Sequence, residues 1–346
     1  MKKCKVGIIG HFGFGSDLAN GQTIKTKIVA EEINEITRGS VCYVDTHGGA
    51  KAIFSTIRGC FRLLHRCDNI VILPAQNGLK IIVPVLAVVN CIYHKKLHYS
   101  VIGGWLPAML LECKWLIKYL KKFHYIYVET SVMKTALEKL GINNSIIIPN
   151  CKNLQILTEG ELIQHTNPPY KICTFSRVMK EKGIEDIVNV VRNINSDQGK
   201  TIYELDIYGP VDADQTAWFE NLSSTFPDYI RYRGIVDFDK SVDVLKDYFV
   251  LVFPTRFFTE GLPGTIIDAY AAGIPVVSAK WESFADMIEE GNTGYGYDFE
   301  NTDQLQSILE KIASSPDAIN QMKIHCIAKA QDYTTQRFKE KLSKYI

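Results

Sequence analysis

Residues 251–278 read Leu251-Val-Phe-Pro-Thr-Arg-Phe-Phe-Thr-Glu260-Gly-Leu-Pro-Gly-Thr-Ile-Ile-Asp268-Ala-Tyr-Ala-Ala-Gly273-Ile-Pro-Val-Val-Ser278. A β-rich apolar run at each end encloses a Gly/Pro turn and a short helical pattern, which predicts a strand, a turn, a helix and a second strand. Units of this kind build parallel sheets with helices on both faces. Ligands bind beyond the carboxyl ends of the strands in such sheets, so the turn around Glu260 is a candidate site.

The same alternation of strands and helices extends over the whole chain, and it predicts two doubly wound, Rossmann-like α/β domains facing a cleft. We expect an N-terminal domain over residues 1–165, a C-terminal domain over 166–330, and a helix over 331–346 that packs back on the N-terminal domain. The predicted strands are Lys5–Gly10, Val41–Asp45, Asn69–Pro74, Leu97–Val101, Ile126–Glu129, Ser145–Pro149, Tyr170–Phe175, Glu204–Tyr208, Ile230–Arg233, Val250–Pro254, Pro275–Ser278 and Gly294–Tyr297.

Composition excludes several classes of protein. A chain of 346 residues with 46% hydrophobic and 22% charged residues is long enough for two cores and is not a disordered chain. The nine cysteines are scattered without a C-x-x-C pair, which indicates neither a disulfide framework nor a zinc site. Residues 1–165 contain 20 Lys and Arg and 11 Asp and Glu. Residues 166–346 contain 19 Lys and Arg and 27 Asp and Glu. The basic first half therefore predicts an anionic partner.

The N-terminal residues and the apolar runs predict a cytoplasmic protein. Residues 1–10 read as a first strand and not as a secretion signal, because their apolar run is short. The longest apolar run, Ile81–Tyr93, is shorter than the ~20 residues that a membrane-spanning helix needs. The sequence thus predicts no transmembrane helix.

The turn after residue 254 has the chemistry of an anion site. Pro263 suits a first helical turn, and Gly261 and Gly264 lack a Cβ, so the N–H groups at the helix start can approach a phosphate. The Glu260 and Asp268 carboxylates could accept hydrogen bonds from the hydroxyls of a sugar. Taken alone, these two residues fit better an ordinary helix N-terminus and a solvated Asp.

Two cations follow the strand Tyr170–Phe175. Arg177 and Lys182 lie in the loop ahead of the next helix, where a guanidinium and an ammonium suit a diphosphate. A solvated basic loop is the alternative interpretation. The two Asp-x-Asp sequences, at residues 212–214 and 237–239, are interpreted as surface turns and not as a metal site. The glycines of the loop over residues 10–23 do not match a dinucleotide-binding fingerprint, so an NAD enzyme is not expected.

Together these motifs resemble the family-4 retaining glycosyltransferases, which have the GT-B fold. Glu260-x7-Asp268, followed by Ala-x-Ala-Ala-Gly273-x-Pro275-Val-Val, is similar to the E-x7-E signature of that family, with Asp in place of the second Glu. The resemblance implies that Glu260 lies beside the transferred sugar and that Asp268, one methylene shorter, binds the ribose. It implies further donor contacts by residues of three segments: Gly21, Gln22, Arg177, Lys182, Gly261, Leu262, Pro263, Gly264 and Thr265.

The resemblance departs from the family in the N-terminal half. Many members carry a catalytic His there, but the comparable stretch over residues 100–107 has none. This form looks like a subgroup of bacterial capsular and O-antigen polysaccharide assembly, and it leaves Gly104 and Trp105 as acceptor-side candidates. No role is assigned to His11, His94 or His98.

A basic segment follows over residues 109–123, in which Lys114, Lys118, Lys121 and Lys122 would share one face of a helix. Such a helix could lie on anionic lipid, or it could pack on the core with a solvated lysine face. The positive charge of the first half favours peripheral attachment at the inner face of the cell membrane. Nucleic acid is not an expected partner, because no motif accompanies the charge.

The sequence therefore predicts a hexosyltransferase-type enzyme. It would move a sugar from a nucleoside diphosphate, expected to be UDP, to a glycan or lipid-linked oligosaccharide, with retention and without a metal or other cofactor; Glu260, Arg177 and Lys182 are the expected catalytic residues. Two alternatives stay open at this point. One is a sugar-nucleotide 2-epimerase, and the other is a non-catalytic partner subunit of a transferase.

Overall fold

The chain folds into two units, each built around its own parallel sheet. The computed structural model describes residues 4–14, 21–48 and 53–346. The first unit comprises Met1–Lys152 and Thr335–Ile346, and the second comprises Asn153–Thr334. Each unit has its own buried apolar clusters, so each forms a core by itself.

The first unit alternates strands and helices around a sheet of order β2-β1-β3-β4-β5-β6, in which all pairs are parallel. The inner strands of this sheet are buried on both faces, as the end of β3 illustrates, where residues 70–73 are fully buried. The elements up to the first boundary are β1 Cys4–Gly10, α1 Gly21–Ile36, β2 Val41–Asp45, α2 Ile53–Arg66, β3 Cys67–Leu73, α3 Gln76–Tyr93, β4 Lys96–Ser100, α4 Leu106–Glu112, α5 Ile117–Leu120, β5 Tyr125–Val128, α6 Ser131–Lys139 and β6 Ser145–Ile147.

The second unit repeats this scheme with the sheet order β12-β11-β10-β7-β8-β9, again all parallel. Its elements are β7 Tyr170–Phe175, α7 Ile184–Asp197, β8 Tyr203–Tyr208, α8 Thr216–Ser223, β9 Ile230–Gly234, α9 Ser241–Leu245, β10 Val250–Phe253, α10 Gly264–Ala271, β11 Val276–Ala279, α11 Phe284–Met287, β12 Gly294–Tyr297, α12 Thr302–Ser314 and α13 Pro316–Ala330. All twelve predicted strands are confirmed, with ends that differ by at most two residues.

Each sheet has one point at which the strand order reverses. In the first sheet the chain runs from β1 to β2 on one side and then returns to β3 on the other side of β1. In the second sheet the same reversal separates β7 from β10. The loops that leave neighbouring strands at such a point diverge to opposite faces and open a crevice beyond the carboxyl ends, where ligands bind.

The boundaries between the units differ from those that the sequence predicts. The first boundary falls before Asn153 and not after residue 165, because Leu154 and Ile156 pack on the core of the second unit and the Leu157 N–H bonds to the Ala271 carbonyl (2.9 Å). The last helix, α14 Thr335–Leu342, belongs to the first unit. Its Phe338 and Leu342 are buried in the cluster that includes residues of α1.

The basic segment is not the single helix that the sequence predicts. Helix α4 ends at Glu112, Cys113 has the non-helical angles φ −111° and ψ 53°, a short 3-10 turn follows over Lys114–Leu116, and α5 spans only Ile117–Leu120. No Gly or Pro marks this break, and Leu110 before it and Leu116 after it are both buried in the core of the first unit. The predicted lysine face of one continuous helix is therefore wrong, although all four lysines are exposed.

The cysteines also depart from the sequence interpretation. Cys4 and Cys42 form a disulfide between β1 and β2. Cys67 is the register partner of Cys4 on β3, and the three sulfur atoms lie within 4.8 Å of one another. The sequence does not show this cluster because the three residues meet only through the strand pairing.

Candidate nucleotide-sugar site

The candidate donor site lies in the second unit at the point where its strand order reverses. Lys182 belongs to a short 3-10 turn after β7, and Glu260 lies in the loop after β10. The Lys182 Nζ donates to Glu260 Oε2 at 2.6 Å, and the Thr255 hydroxyl donates to the same oxygen at 3.2 Å. The structure thus brings two of the three predicted catalytic residues together.

Aromatic rings surround the Lys182 ammonium. Its Nζ lies 4.9 Å from the centroid of the Phe257 ring and 5.5 Å from that of Phe253. The side chains of Lys182 and Glu260 are 15% and 21% exposed, so the pair is partly shielded but open to a ligand. An ammonium has three N–H donors, and one bond to Glu260 leaves donors for an anion. Partial desolvation strengthens attraction to that anion.

Gly183 makes this arrangement sterically possible. It has a φ of 67°, in the left-handed region, and a Cβ added to it would lie 1.9 Å from the Pro254 carbonyl oxygen. The loops after β7 and β10 therefore touch at a position that only glycine fits. The close approach places Lys182 within reach of Glu260.

Arg177 stands apart from this pair in the described conformation. Its side chain is 57% exposed, and Nη1 lies 3.5 Å from Asp212 Oδ2 in the loop after β8. Asp212 also accepts from the Asp214 N–H, which fits the turn role that the sequence predicts for it. The exposed guanidinium still lies beyond the carboxyl end of β7, where it can bind a diphosphate.

Helix α10 begins directly behind Glu260. Pro263 precedes its first residue, Gly264, and no side chain in the described part of the chain caps this end. The first N–H groups of a helix have no intrahelical acceptor, so those of Gly264 and Thr265 are suited to phosphate oxygens. The Thr265 hydroxyl is buried and has no hydrogen-bond partner among the described residues. The start of α10 therefore has polar groups to offer to a ligand.

The remaining predicted donor residues have different settings. Leu262 and Asp268 are buried, at 5% and 4% exposure, and Asp268 lies in the middle of α10. Contact of Asp268 with a ribose stays a prediction. The Gly261 carbonyl accepts a hydrogen bond from the Trp281 indole N–H at 3.3 Å, which fixes the backbone there.

The first unit holds a second candidate site at its own point of strand reversal. A cavity of about 460 Å³ lies beyond β1 and β3. Its lining is mainly apolar, with a few polar side chains: His11, Gln22, Thr46, Ile53, Thr56, Pro74, Ala75, Asn77, Gly78, Ile81 and Ile82. Gly21 and Gln22 begin α1. Gly104 and Trp105 follow β4 and do not line this cavity, and the Trp105 indole N–H donates to the Ile102 carbonyl (2.7 Å).

Histidines that the sequence leaves without a role meet beside this cavity. His11 Nδ1 lies 2.9 Å from Thr23 Oγ1, and His11 Nε2 lies 3.2 Å from His47 Nδ1. The neighbouring Asp45 carboxylate accepts from backbone N–H groups of residues 12, 14 and 47. Burial opposes ionisation of Asp45, but these N–H groups outweigh it and lower its pKa. His11 directly follows β1 and His47 closely follows β2, which is the one signal that could have indicated the pair.

A buried lysine anchors α1 next to this cavity. Lys25 donates to Glu129, which follows β5, and to the Val101 carbonyl after β4 (3.3 Å). Burial lowers the pKa of Lys25 to about 7, although the neighbouring Cys151 acts in the opposite direction. These bonds fix the start of α1, and with it Gln22, against the carboxyl edge of the sheet.

Comparison with known proteins gives a family match within the second unit. Residues 169–315 match the family model described as "Glycosyl transferases group 1". These matched residues all lie within the second unit. A curated relative, the amylovoran biosynthesis glycosyltransferase AmsK of Erwinia amylovora, is 22% identical over 181 residues; the match covers 51% of this chain and 42% of the relative. The chain therefore matches less than half the length of that relative.

Solved structures of the GT-B type match nearly the whole chain. HepE of Anabaena in complex with UDP has a TM-score of 0.76 at 13% identity and covers 98% of both chains. Sucrose-phosphate synthase of Thermosynechococcus elongatus has a TM-score of 0.76 at 14% identity over 99% of this chain and 98% of its own. The predicted GT-B fold is thus confirmed.

Proposed function

We propose that this chain is a retaining glycosyltransferase that uses a UDP-sugar and a glycan or lipid-linked oligosaccharide acceptor in surface polysaccharide synthesis. The observation that carries the proposal is the Lys182–Glu260 pair at the strand reversal of the glycosyltransferase domain. HepE was solved with UDP and with UDP-glucose, which supports the choice of donor. The name of AmsK supports a polysaccharide product. The same proposal places the enzyme in the cytoplasm, at the inner face of the cell membrane.

On the donor side, the site has to stabilise the charge of the leaving group. The bond between the anomeric carbon and the phosphate oxygen breaks, and negative charge develops on the leaving diphosphate. Lys182, Arg177 and the N–H groups at the start of α10 would stabilise that charge. Because two cations would neutralise this charge, the proposal includes no metal ion, and metal independence stays a prediction.

Glu260 would orient the transferred sugar. Both of its described bonds, from Lys182 and Thr255, end on Oε2, so among the described residues Oε1 is left for a sugar hydroxyl. Retention follows if the acceptor attacks from the face that the diphosphate leaves. The acceptor oxygen then bonds to the anomeric carbon and its proton passes to a phosphate oxygen, so no protein nucleophile takes part.

The cavity of the first unit is the proposed acceptor site. Its apolar side chains, Ile53, Pro74, Ile81 and Ile82, are accompanied by the polar groups of residues such as Asn77. A lining of this kind suits an amphipathic molecule with sugar hydroxyls and an apolar part. Gln22 lines this cavity, so its predicted donor contact becomes an acceptor-side contact in this proposal.

The test is a pair of assays on wild type and on Lys182→Ala. UDP at about 100 times its Kd should raise the unfolding free energy by about 2.7 kcal/mol, and GDP and ADP should act less. Lys182→Ala should weaken this effect and slow UDP release in the presence of oligosaccharide or lipid-linked acceptors by roughly 100-fold or more. Lys180→Ala is the matched control, because Lys180 is exposed two positions away in the same turn.

The outcomes also separate the alternatives. Equal loss in both variants, or no preference for UDP, would contradict the proposed donor site. Release of a modified free sugar without an acceptor would favour the epimerase. Nucleotide binding without turnover by any acceptor would favour the partner subunit.

A further inference from the structure

Helix α3 has an unusual composition for a helix on the outside of a sheet. Among the described residues it is the one helix long and apolar enough to cross a membrane by length and composition. The sequence predicts no such helix, because its apolar run is read only from Ile81. However, α3 connects β3 to β4 within one parallel sheet. A crossover helix must pack on its sheet, so α3 is part of the fold of the first unit.

The two faces of α3 are both apolar. The inner face is buried in the core through Leu79, Ile82, Val83, Leu86 and Ala87. The opposite face, called here the α3 face, consists of Ile81, Pro84, Val85, Val88 and Ile92. Val88 is 55% exposed and Ile92 is 78% exposed. A helix that faces water normally carries polar residues on that side, so the α3 face indicates contact with an apolar partner.

The segment after α4 extends this apolar surface. The turn Lys114–Leu116 and α5 pack against α3. Leu111 is 60% exposed and Trp115 is 48% exposed. The Lys122 ammonium lies 3.9 Å from Cys91 Sγ, next to Ile92 in the chain, so the segment and the end of α3 form one surface.

The charge around this surface is almost entirely positive. Residues 76–123 contain seven lysines and one acidic residue, Glu112. The lysines at 80, 114, 118, 121 and 122 are all exposed. No ion pair joins the last four to a carboxylate in the described parts of the chain. The whole first unit has 24 Lys and Arg against 10 Asp and Glu, a net charge of +14.

We propose that the α3 face, with Leu111, Trp115 and the surrounding lysines, docks the protein on the surface of an anionic lipid bilayer. Aliphatic and indole side chains would enter the interface between head groups and acyl chains, and the lysines would lie among the anionic head groups. Charge argues against a second copy in a two-fold contact, since that would bring one +14 unit against another. A nucleic acid would leave the aliphatic residues without a partner.

The cavity of the first unit shares a residue with this surface. Ile81 belongs to the α3 face and also lines the cavity. A lipid-linked acceptor could therefore reach the cavity along α3 from the bilayer. This last step rests on the proposed function, of which a membrane location is a part, whereas flotation without nucleotide tests the docking by itself.

Vesicle flotation of the full chain, without nucleotide, tests the docking. Vesicles of phosphatidylcholine with phosphatidylglycerol should bind the protein, and vesicles of phosphatidylcholine alone should bind it much more weakly. One lysine near such a surface changes the partition coefficient about fivefold, so Lys118→Glu/Lys122→Glu should lower it at least about 25-fold. Val88→Ser/Ile92→Ser should lower it roughly tenfold without a change in net charge.

A matched pair controls for net charge. Lys200→Glu/Lys240→Glu makes the same charge change at exposed lysines of the second unit and should leave flotation unchanged. Melting followed by circular dichroism checks that all three variants fold. Absence of flotation by the wild type, or an equal loss in the control pair, would overturn the proposal. A dimer in light scattering that Val88→Ser/Ile92→Ser dissociates would assign the surface to a second copy and overturn it as well.

Discussion

Gly183 illustrates how one residue without a side chain sets the geometry of a charged site. Its Cβ position is occupied by the Pro254 carbonyl, and its φ is 67°. Gly183→Ala should lower the free energy of unfolding by more than about 1 kcal/mol for the backbone angle, with the steric overlap added. The UDP-induced stabilisation should fall too, because Lys182 moves away from Glu260. Urea unfolding with and without UDP measures both effects.

Gly199 provides the control for this prediction. It has a similar φ of 61°, but an added Cβ would meet no atom of the described residues within 4 Å. Gly199→Ala therefore carries the cost of the backbone angle alone. If the two variants lose the same stability and both keep the response to UDP, the close approach of the two loops is not what Gly183 provides.

At the scale of residues, the sequence is informative where a motif is local. Lys182 and Glu260 are found because each sits in a recognisable turn after an apolar strand, and the strand order then brings them together. The His11–His47 pair and the Lys25–Glu129 pair are not found. Their partners are far apart in the chain, and single histidines and lysines carry no spacing signal.

At the scale of elements, β4 and β5 share a buried polar group with a consequence for pH. His98 Nδ1 on β4 lies 2.8 Å from the Tyr127 hydroxyl on β5, and His98 Nε2 lies 3.2 Å from Asn69 Oδ1 on β3. Burial, and then the charges of His124 and Lys96, lower the pKa of His98 to about 3. The unfolded chain has a His pKa near 6.5 and so binds the extra proton between these two values.

This difference predicts a loss of stability in acid. His98 contributes fully above pH ~6.5, and its contribution falls by about 1.4 kcal/mol per pH unit as the pH drops towards 3. His98→Gln should reduce the slope of unfolding free energy against pH by that amount between pH ~6 and ~4, whatever its effect at pH 7. Urea titrations of both proteins at several pH values give the slopes. A wild-type slope in His98→Gln would contradict the prediction.

The elements themselves divide into those that local pattern specifies and those that packing specifies. Strands such as β7 and β12 match the sequence prediction residue for residue, since apolar runs bounded by turn residues fix them locally. The segment over 109–123 does not, because lysines four residues apart can lie on a helix or on successive turns alike. Its break lies at Cys113, between Leu110 and Leu116, which are both buried in the core of the first unit. The cluster of the Cys4, Cys42 and Cys67 sulfur atoms depends on strand register in the same way.

At the scale of the whole molecule, charge follows the folded units more closely than the sequence halves. The predicted boundary after residue 165 divides the charge into +9 and −8. The structural units carry +14 and −13, because α14 adds basic residues to the first unit and the acidic residues 159 and 161 belong to the second. Sequence reasoning finds the asymmetry, and the structure assigns it to two separate bodies.

Helix α14 should contribute to the stability of the first unit and not to that of the second. Phe338 is 6% exposed in the cluster of Val29 and Ile33, and Lys339 pairs with Glu35 of α1 (2.7 Å). Phe338→Ala should destabilise this unit by about 3–5 kcal/mol. Hydrogen exchange followed by mass spectrometry should then show faster exchange in β1 and α1 and unchanged exchange in α10. Phe338→Leu keeps most of the buried volume and should behave nearly like wild type, and faster exchange in both units would contradict the division.

The interrupted course of the first unit has a consequence for synthesis on the ribosome. The second unit is continuous, from Asn153 to Thr334, and it can close its core as soon as its own last residue has left the exit tunnel. The first unit is begun earlier but lacks Phe338 and Leu342 until α14 is made. During translation the sheet of the first unit therefore lacks part of its core until a helix some 180 residues later is synthesised. Chaperones that recognise exposed apolar surface would bind this unit before the second.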